Sequence, residues 1–401
     1  MSSTLIVNCT LISGGRRAGR ASVLVRNGVI VEAGERVAPP VGAAVFDAAG
    51  LFVSPGLIDV HTHGAGGGWN FSTDVDEILK VARAMARHGI TAFCPTTVSL
   101  PPNETKKAVA AIRKAMERQP GAADFDDAAG RTPGEGARIL GVNLEGPFIS
   151  PEKPGAHFPL NIRKIDRDEI AAIVEAAGGR IRIFTLAPEL DGAIELIETL
   201  SKRGTVVSLG HTNAASAQTD EAAARGATLV THLFNATRKI HQRDPGLAVR
   251  AMLHPDLFVE LIADGGHVHP DMLRLVARVK SRDRIILVTD SIAPAGEGDG
   301  KFIVWGREAE VKNGAVTLPD GTIAGSVLTL ERAVMNMSRF TGLAIEETAA
   351  MASQNPAVLL KIDSKTGTIE PGKAADIAVF DADFTCFATF IGGTLVYEKP
   401  R

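Results

Sequence analysis

The sequence predicts an α/β chain in which a (β/α)8 barrel of the TIM type carries a small β-sandwich domain formed by both termini. Three observations lead there. Eight apolar runs, each closing on a polar or Gly-rich tip, alternate with stretches whose apolar residues recur every three or four positions. The runs do not alternate apolar with polar, so both faces are buried, as a closed parallel barrel requires more strictly than an open doubly wound sheet. The two ends of the chain share a different style, short β-branched segments between Gly-rich turns.

At the N-terminus those segments are Leu5 to Cys9, Ser22 to Arg26 and Val29 to Ala33, with the Asn27-Gly28 turn between the last two. The C-terminal counterpart is GTIEPGKAADIAVFD (367–381), Cys386 to Phe390, a Gly392-Gly393 turn and Gly393 to Glu398. Residues 1–54 and 362–401 are accordingly assigned to the small domain, and 55–361 to the barrel. The eight barrel runs are LIDVHTH, ITAFCPTT, ILGVNLEG, IRIFTLAPE, VVSLGHT, TLVTHLFNA, VELIADGGH and IILVTDS. Helical periodicity marks 74–88, 102–119, 166–177, 190–203, 213–225 and 270–280 between them. Residues 300–325 interrupt the pattern with Asn313-Gly314 and Asp320-Gly321, which predicts a hairpin excursion after the eighth strand.

Charge and composition exclude several classes. With 43 Lys+Arg against 46 Asp+Glu in 401 residues, the chain lacks the basic field of a dedicated nucleic-acid binder. No apolar run approaches the roughly 18 residues of a membrane span, and MSSTLIVNCT lacks the basic and apolar regions of a signal peptide. Cys9, Cys94 and Cys386 are too far apart for a disulfide framework or a zinc knuckle. A soluble, unprocessed protein of the reducing cytoplasm is expected.

The strand tips carry the chemistry. In a barrel of this kind the C-terminal ends of the strands build the active site. Here the first ends in His61 and His63, the third in Glu145, the fifth in His211, the sixth in His232, the seventh in Asp264 with His267 beyond it, and the eighth in Asp290. Imidazoles and carboxylates at six strand ends form the donor set of a divalent transition metal. His61 and His63, at i and i+2, share one face of their strand. A carboxylate closing a buried strand needs a partner or a metal, because desolvating it alone costs several kcal/mol, on the order of an unpaired buried ion.

The succession PGLIDVHTHG (55–64), NLEGPF (143–148), GHT (210–212), THLFNA (231–236), RDPGL (243–247), IADGGHVH (262–269), VTDSIAPAG (288–296), AGSVLTL (324–330) and NPA (355–357) runs through almost the whole chain. It resembles the amidohydrolase superfamily, and within it the branch that deacetylates phosphorylated amino sugars. The resemblance implies a metal-dependent barrel with a small β domain made from both termini. It implies that Glu145, His211 and His232 hold the principal divalent metal, with Glu145 where most relatives use a modified lysine. His61 and His63 would complete a second site sharing Glu145. Zinc is the default for this donor set, as one or two ions, with iron and manganese as alternatives. His88, His241, His254 and His269 match no ligand position.

For the substrate, the resemblance implies a phosphosugar held by Asn235, Ala236 and Arg243, since loop N–H groups with one guanidinium seat a phosphate. His157 and His267 correspond to residues that contact the sugar or the amide carbonyl, and Asp290 is the expected proton shuttle. The implied reaction hydrolyses N-acetylglucosamine 6-phosphate to glucosamine 6-phosphate and acetate in a cytoplasmic homodimer. The N-acetylgalactosamine 6-phosphate epimer and other amidohydrolase substrates, such as N-acyl-D-amino acids, are the alternatives. No nucleic-acid or membrane partner is expected.

Overall fold

A computed structural model describes residues 3–119, 121–122, 124–125, 136–304, 307–312, 314–319 and 323–400. The eight apolar runs form eight parallel strands: Leu57–Thr62, Ile90–Pro95, Val142–Glu145, Ile181–Leu186, Val206–Leu209, Ala227–Val230, Phe258–Leu261 and Ile285–Leu287. The third to the eighth make one sheet in chain order, and the first two pair with each other. Hydrogen bonds cross both remaining seams. Thr97 N–H donates to Asn143 O at 3.0 Å between the second and third strands, and Asp290 N–H donates to His61 O at 2.9 Å between the eighth and the first.

Each strand is followed in the chain by a helix, Val75–Ala86 after the first and Leu330–Thr341 after the eighth. Local sequence explains their limits. Asp74 accepts the Asp76 N–H and starts the first helix, whose Ile78, Val81, Ala82 and Met85 form one buried stripe. Pro270 opens the seventh in the first-turn position where a missing N–H costs nothing. Isoleucine, leucine and valine from strands and helices merge into one core.

The terminal segments form one branched eight-stranded sheet rather than the two sheets of the expected sandwich. The cause lies in Ser3–Ser13, which is long enough to pair with Arg16–Arg26 along one edge and, along the other, with Ala44–Asp47 and then Phe52–Pro55. Register shifts between Ile6 and Cys9 and between Thr10 and Ile12 bend it, so the sheet curls around Ile6, Val23, Val53, Ile377 and Phe390. Phe52–Pro55 pairs with Ile377–Phe380, which joins the two ends of the chain one residue before the barrel begins.

The expected hairpin is instead a four-stranded antiparallel sheet over Gly300–Val304, Arg307–Lys312, Ala315–Thr317 and Ile323–Ser326. Asn313, Asp320 and Gly321 of its expected turns lie outside the described residues. Among the described residues, no helix is long and apolar enough to cross a membrane.

Candidate metal centre and active site

Side chains at the strand ends converge on Glu145. Its Oε1 lies 3.1 Å from His211 Nε2, 3.0 Å from His232 Nε2 and 3.5 Å from His61 Nε2. Its Oε2 lies 3.3 Å from His63 Nε2 and 3.2 Å from His157 Nε2. Asp290 Oδ1 joins from the eighth strand, 3.2 Å from His63 Nε2 and 3.5 Å from His61 Nε2. Two sets of potential ligands share the carboxylate: His61, His63 and Glu145, and Glu145, His211 and His232.

Hydrogen bonds fix which ring nitrogens face inward. His211 Nδ1 is 3.1 Å from Lys153 O, an acceptor only, so Nδ1 carries the proton and Nε2 presents its lone pair. His61 Nδ1 is 2.9 Å from Glu260 Oε2, which does the same for that ring, and His61 Nε2 has no hydrogen-bond partner among the described residues. The Nε2 atoms of His211 and His232 stand 3.0 Å apart. The His211 lone pair and the Glu145 carboxylate thus meet a second imidazole nitrogen whose tautomer no hydrogen bond among the described residues fixes, an arrangement that a cation among them would neutralise. The donor set therefore fits a divalent ion in both its chemistry and its charge.

Protonation follows the same field. Burial would raise the Glu145 carboxyl, but His61 and His211 hold it well below its usual range. Burial likewise opposes ionisation of Asp290, and His61 and His63 hold its carboxyl low. Burial disfavours the His63 imidazolium, but Asp290 and Glu145 push its pKa up to about 9. His211, buried and facing His157, is brought down to about 4.

Backbone conformation is unusual at these positions. His211, His232, Ala236 and Asp290 have φ of 47°, 26°, 48° and 47°, in the left-handed region that costs non-glycine residues on the order of 1–3 kcal/mol each. Gly155 has room over the His211 ring because it has no Cβ, which would stand 2.8 Å from His211 Cε1.

A cavity of about 480 Å³ opens over the cluster, and its wall includes His63, Glu145, His157, His211, His232, Asn235, Ala236, His267 and Asp290. His61 is fully buried and not part of that wall. Arg243 is not brought to the cavity: it is exposed and absent from the wall, because its loop stays at the surface, where the Arg243 N–H donates to His241 Nδ1. His267 is held by Asp264, whose Oδ2 is 2.6 Å from His267 Nδ1; burial disfavours the imidazolium, but Asp264 raises its pKa.

His157 is gripped from behind. Ser99 N–H donates to its Nδ1 at 3.0 Å, which leaves the proton on Nε2, facing Glu145. Ser99 also lines the cavity, and the Cβ that Gly146 lacks would stand 2.3 Å from its Oγ.

Sequence reasoning missed Ser99 and Glu260. Glu260 had a readable signal, a lone carboxylate within the apolar Phe258–Leu261 strand. Ser99 had none, since a serine after a strand is ordinary loop composition.

The family model described as "Amidohydrolase family" matches residues 52–396. The N-acetylglucosamine-6-phosphate deacetylase of Vibrio furnissii is 35% identical over 350 residues, 86% of this chain and 84% of that protein. The N-acetylgalactosamine-6-phosphate deacetylase of Escherichia coli O157:H7 is 33% identical over 357 residues, 89% of this chain and 90% of that protein. The solved structure of a mutant N-acetyl-D-glucosamine-6-phosphate deacetylase from Mycobacterium smegmatis, in complex with N-acetyl-D-glucosamine-6-phosphate, superposes with a TM-score of 0.88 at 31% identity over 99% of this chain and 100% of that one.

Proposed function

The chain belongs to the amidohydrolase family, and we propose that it hydrolyses N-acetylglucosamine 6-phosphate to glucosamine 6-phosphate and acetate. One observation carries this reading: a buried carboxylate, Glu145, ringed by imidazole Nε2 atoms at the base of a cavity large enough for a sugar. The N-acetylgalactosamine 6-phosphate epimer is a second reading, favoured by the Escherichia coli O157:H7 relative.

Glu145, His211 and His232 would hold the principal metal, and His61 and His63 would share Glu145 in holding a second; zinc best suits the donors, ahead of iron or manganese. When bound, such an ion supplies a water that ionises near neutral pH and draws charge from the amide oxygen.

The chain's own groups do the rest. Asp290 takes the proton from the attacking water and returns it to the departing nitrogen. His157, with its proton on Nε2, donates to the amide oxygen as negative charge develops there. His267, oriented by Asp264, binds the sugar. The phosphate is assigned to Asn235 and Ala236 on the cavity wall, with Arg243, exposed further along the same loop and outside that wall, as the expected guanidinium.

Hydrogen bonds across both seams support a closed (β/α)8 barrel over 55–361, with 1–54 and 362–401 as the terminal β domain. A homodimer is the proposed assembly. Three free, buried cysteines support a cytoplasmic setting.

The deciding experiment combines metal analysis of the purified protein with acetate release from N-acetylglucosamine and its 6-phosphate. Bound zinc and a strong preference for the phosphorylated sugar are expected. A metal-free active enzyme, or equal rates on both sugars, would overturn the reading.

A further inference from the structure

Glu260 lies in the middle of the seventh strand, fully buried, and is absent from the cavity wall. Its Oε2 accepts two hydrogen bonds, from His61 Nδ1 at 2.9 Å and from the backbone N–H of His232 at 3.1 Å. One residue thus touches a member of each ligand set that shares Glu145. Its Oε1 is buried with no partner among the described residues, and among them its carboxylate pairs with no lysine or arginine. Burying a carboxylate with no lysine or arginine partner is costly, and the ionisable group it meets among the described residues is the His61 imidazole.

We propose that Glu260 is a positioning residue that fixes His61 with Nε2 free to ligate, and that ties the two ligand sets together through the His232 backbone. Holding the proton on Nδ1 keeps His61 in the ligating tautomer, and the carboxylate charge makes that imidazole a stronger donor. The hydrogen bond to His232 N–H holds in place a residue with φ of 26°. Glu260 touches neither substrate nor reacting atoms. The inference rests on the reading that this cluster holds metal.

The test is zinc binding, with zinc ion alone, to metal-free wild type, Glu260→Gln, His61→Ala and the double variant, by competition with a chromophoric chelator. Gln keeps the shape and can still accept both hydrogen bonds, while losing the charge. Glu260→Gln should weaken zinc held through His61 by about 10–100-fold, while zinc held by Glu145, His211 and His232 shifts by less than about threefold. In the His61→Ala background the same change should add nothing. Thermal melting of the metal-free proteins separates this from a general loss of packing: Glu260→Gln should melt with wild type. Zinc binding by Glu260→Gln equal to wild type, an undiminished loss in the His61→Ala background, or a metal-free protein that already melts early would overturn the proposal. Wild type that takes up no zinc would instead overturn the metal reading beneath it.

Discussion

Two buried charged clusters in this molecule behave oppositely. Where the terminal sheet meets the barrel, Arg138 Nε donates to Asp376 Oδ2 at 2.7 Å and Nη2 to Oδ1 at 3.0 Å, both side chains fully buried. Gly392 N–H donates to the same carboxylate at 2.7 Å, and the guanidinium lies 4.8 Å from the centre of the Phe125 ring. Charge, hydrogen bonds and packing all close within the chain. Around Glu145 they do not: imidazole nitrogens face one another, His61 Nε2, His63 Nδ1 and His232 Nδ1 lack partners among the described residues, and the strand ends adopt left-handed φ. A buried charge cluster that satisfies itself fastens a fold. One that is complete only with a cation from outside serves chemistry.

The contrast is broken most severely at the proposed ligands. His232→Ala should abolish activity and lower bound metal, measured by acetate release and elemental analysis, because every ligand of such a site is used. Unchanged metal content would put the centre elsewhere. Asp290→Asn should lose activity in the upper part of the roughly 10²–10⁴-fold range of acid-base catalysis, or beyond it, since the proposed role gives this one carboxylate both proton transfers. It should keep its metal and bind substrate; near-normal turnover would remove Asp290 as the shuttle, and lost metal would make it a ligand.

At the self-contained cluster, Arg138→Ala should cost about 3–5 kcal/mol of stability in denaturant unfolding, because it strands a buried carboxylate. Metal content per folded molecule should not change. Replacing Arg138 and Asp376 together by apolar residues should recover much of the loss.

Arg243→Ala sharpens the comparison from an exposed loop that is not part of the cavity wall. A charge-assisted hydrogen bond contributes on the order of 1.5–3 kcal/mol, so kcat/KM for the phosphorylated sugar should fall by roughly ten- to a hundredfold, with little change for the unphosphorylated one. Equal losses on both would end its phosphate role.

The smallest effect is expected at His88, whose Nδ1 is 2.7 Å from Glu331 Oε1. Burial disfavours the imidazolium, but Glu331 raises the pKa above its ordinary value. A raised folded-state value stabilises below the unfolded pKa and is lost as pH rises through the folded one. The stability advantage of wild type over His88→Gln should therefore be larger at pH 6 than at pH 9, by thermal melting; a constant difference would mean that the pair's charge contributes nothing.

The order of elements and the chemistry at their tips are legible in the amino-acid pattern alone. Buried strands must be apolar on both faces and amphipathic helices must show one stripe, so the eight runs and the helices between them were legible. Parallel strands all point one way, so residues closing them must gather at one end. That is why His61, His63, Glu145, His211, His232 and Asp290 could be grouped from the chain alone. Partnership arises only when the chain folds. Whether His61 Nδ1 meets Glu260, whether Ser99 grips His157, and whether Arg243 reaches the cavity depend on atoms brought together from 199 positions apart in the first case and 58 in the second. The terminal sheet teaches the same lesson. Its strands were legible one by one, but the bends that let Ser3–Ser13 pair on both edges, turning an expected sandwich into one curled sheet, arise from pairing registers that no local pattern encodes.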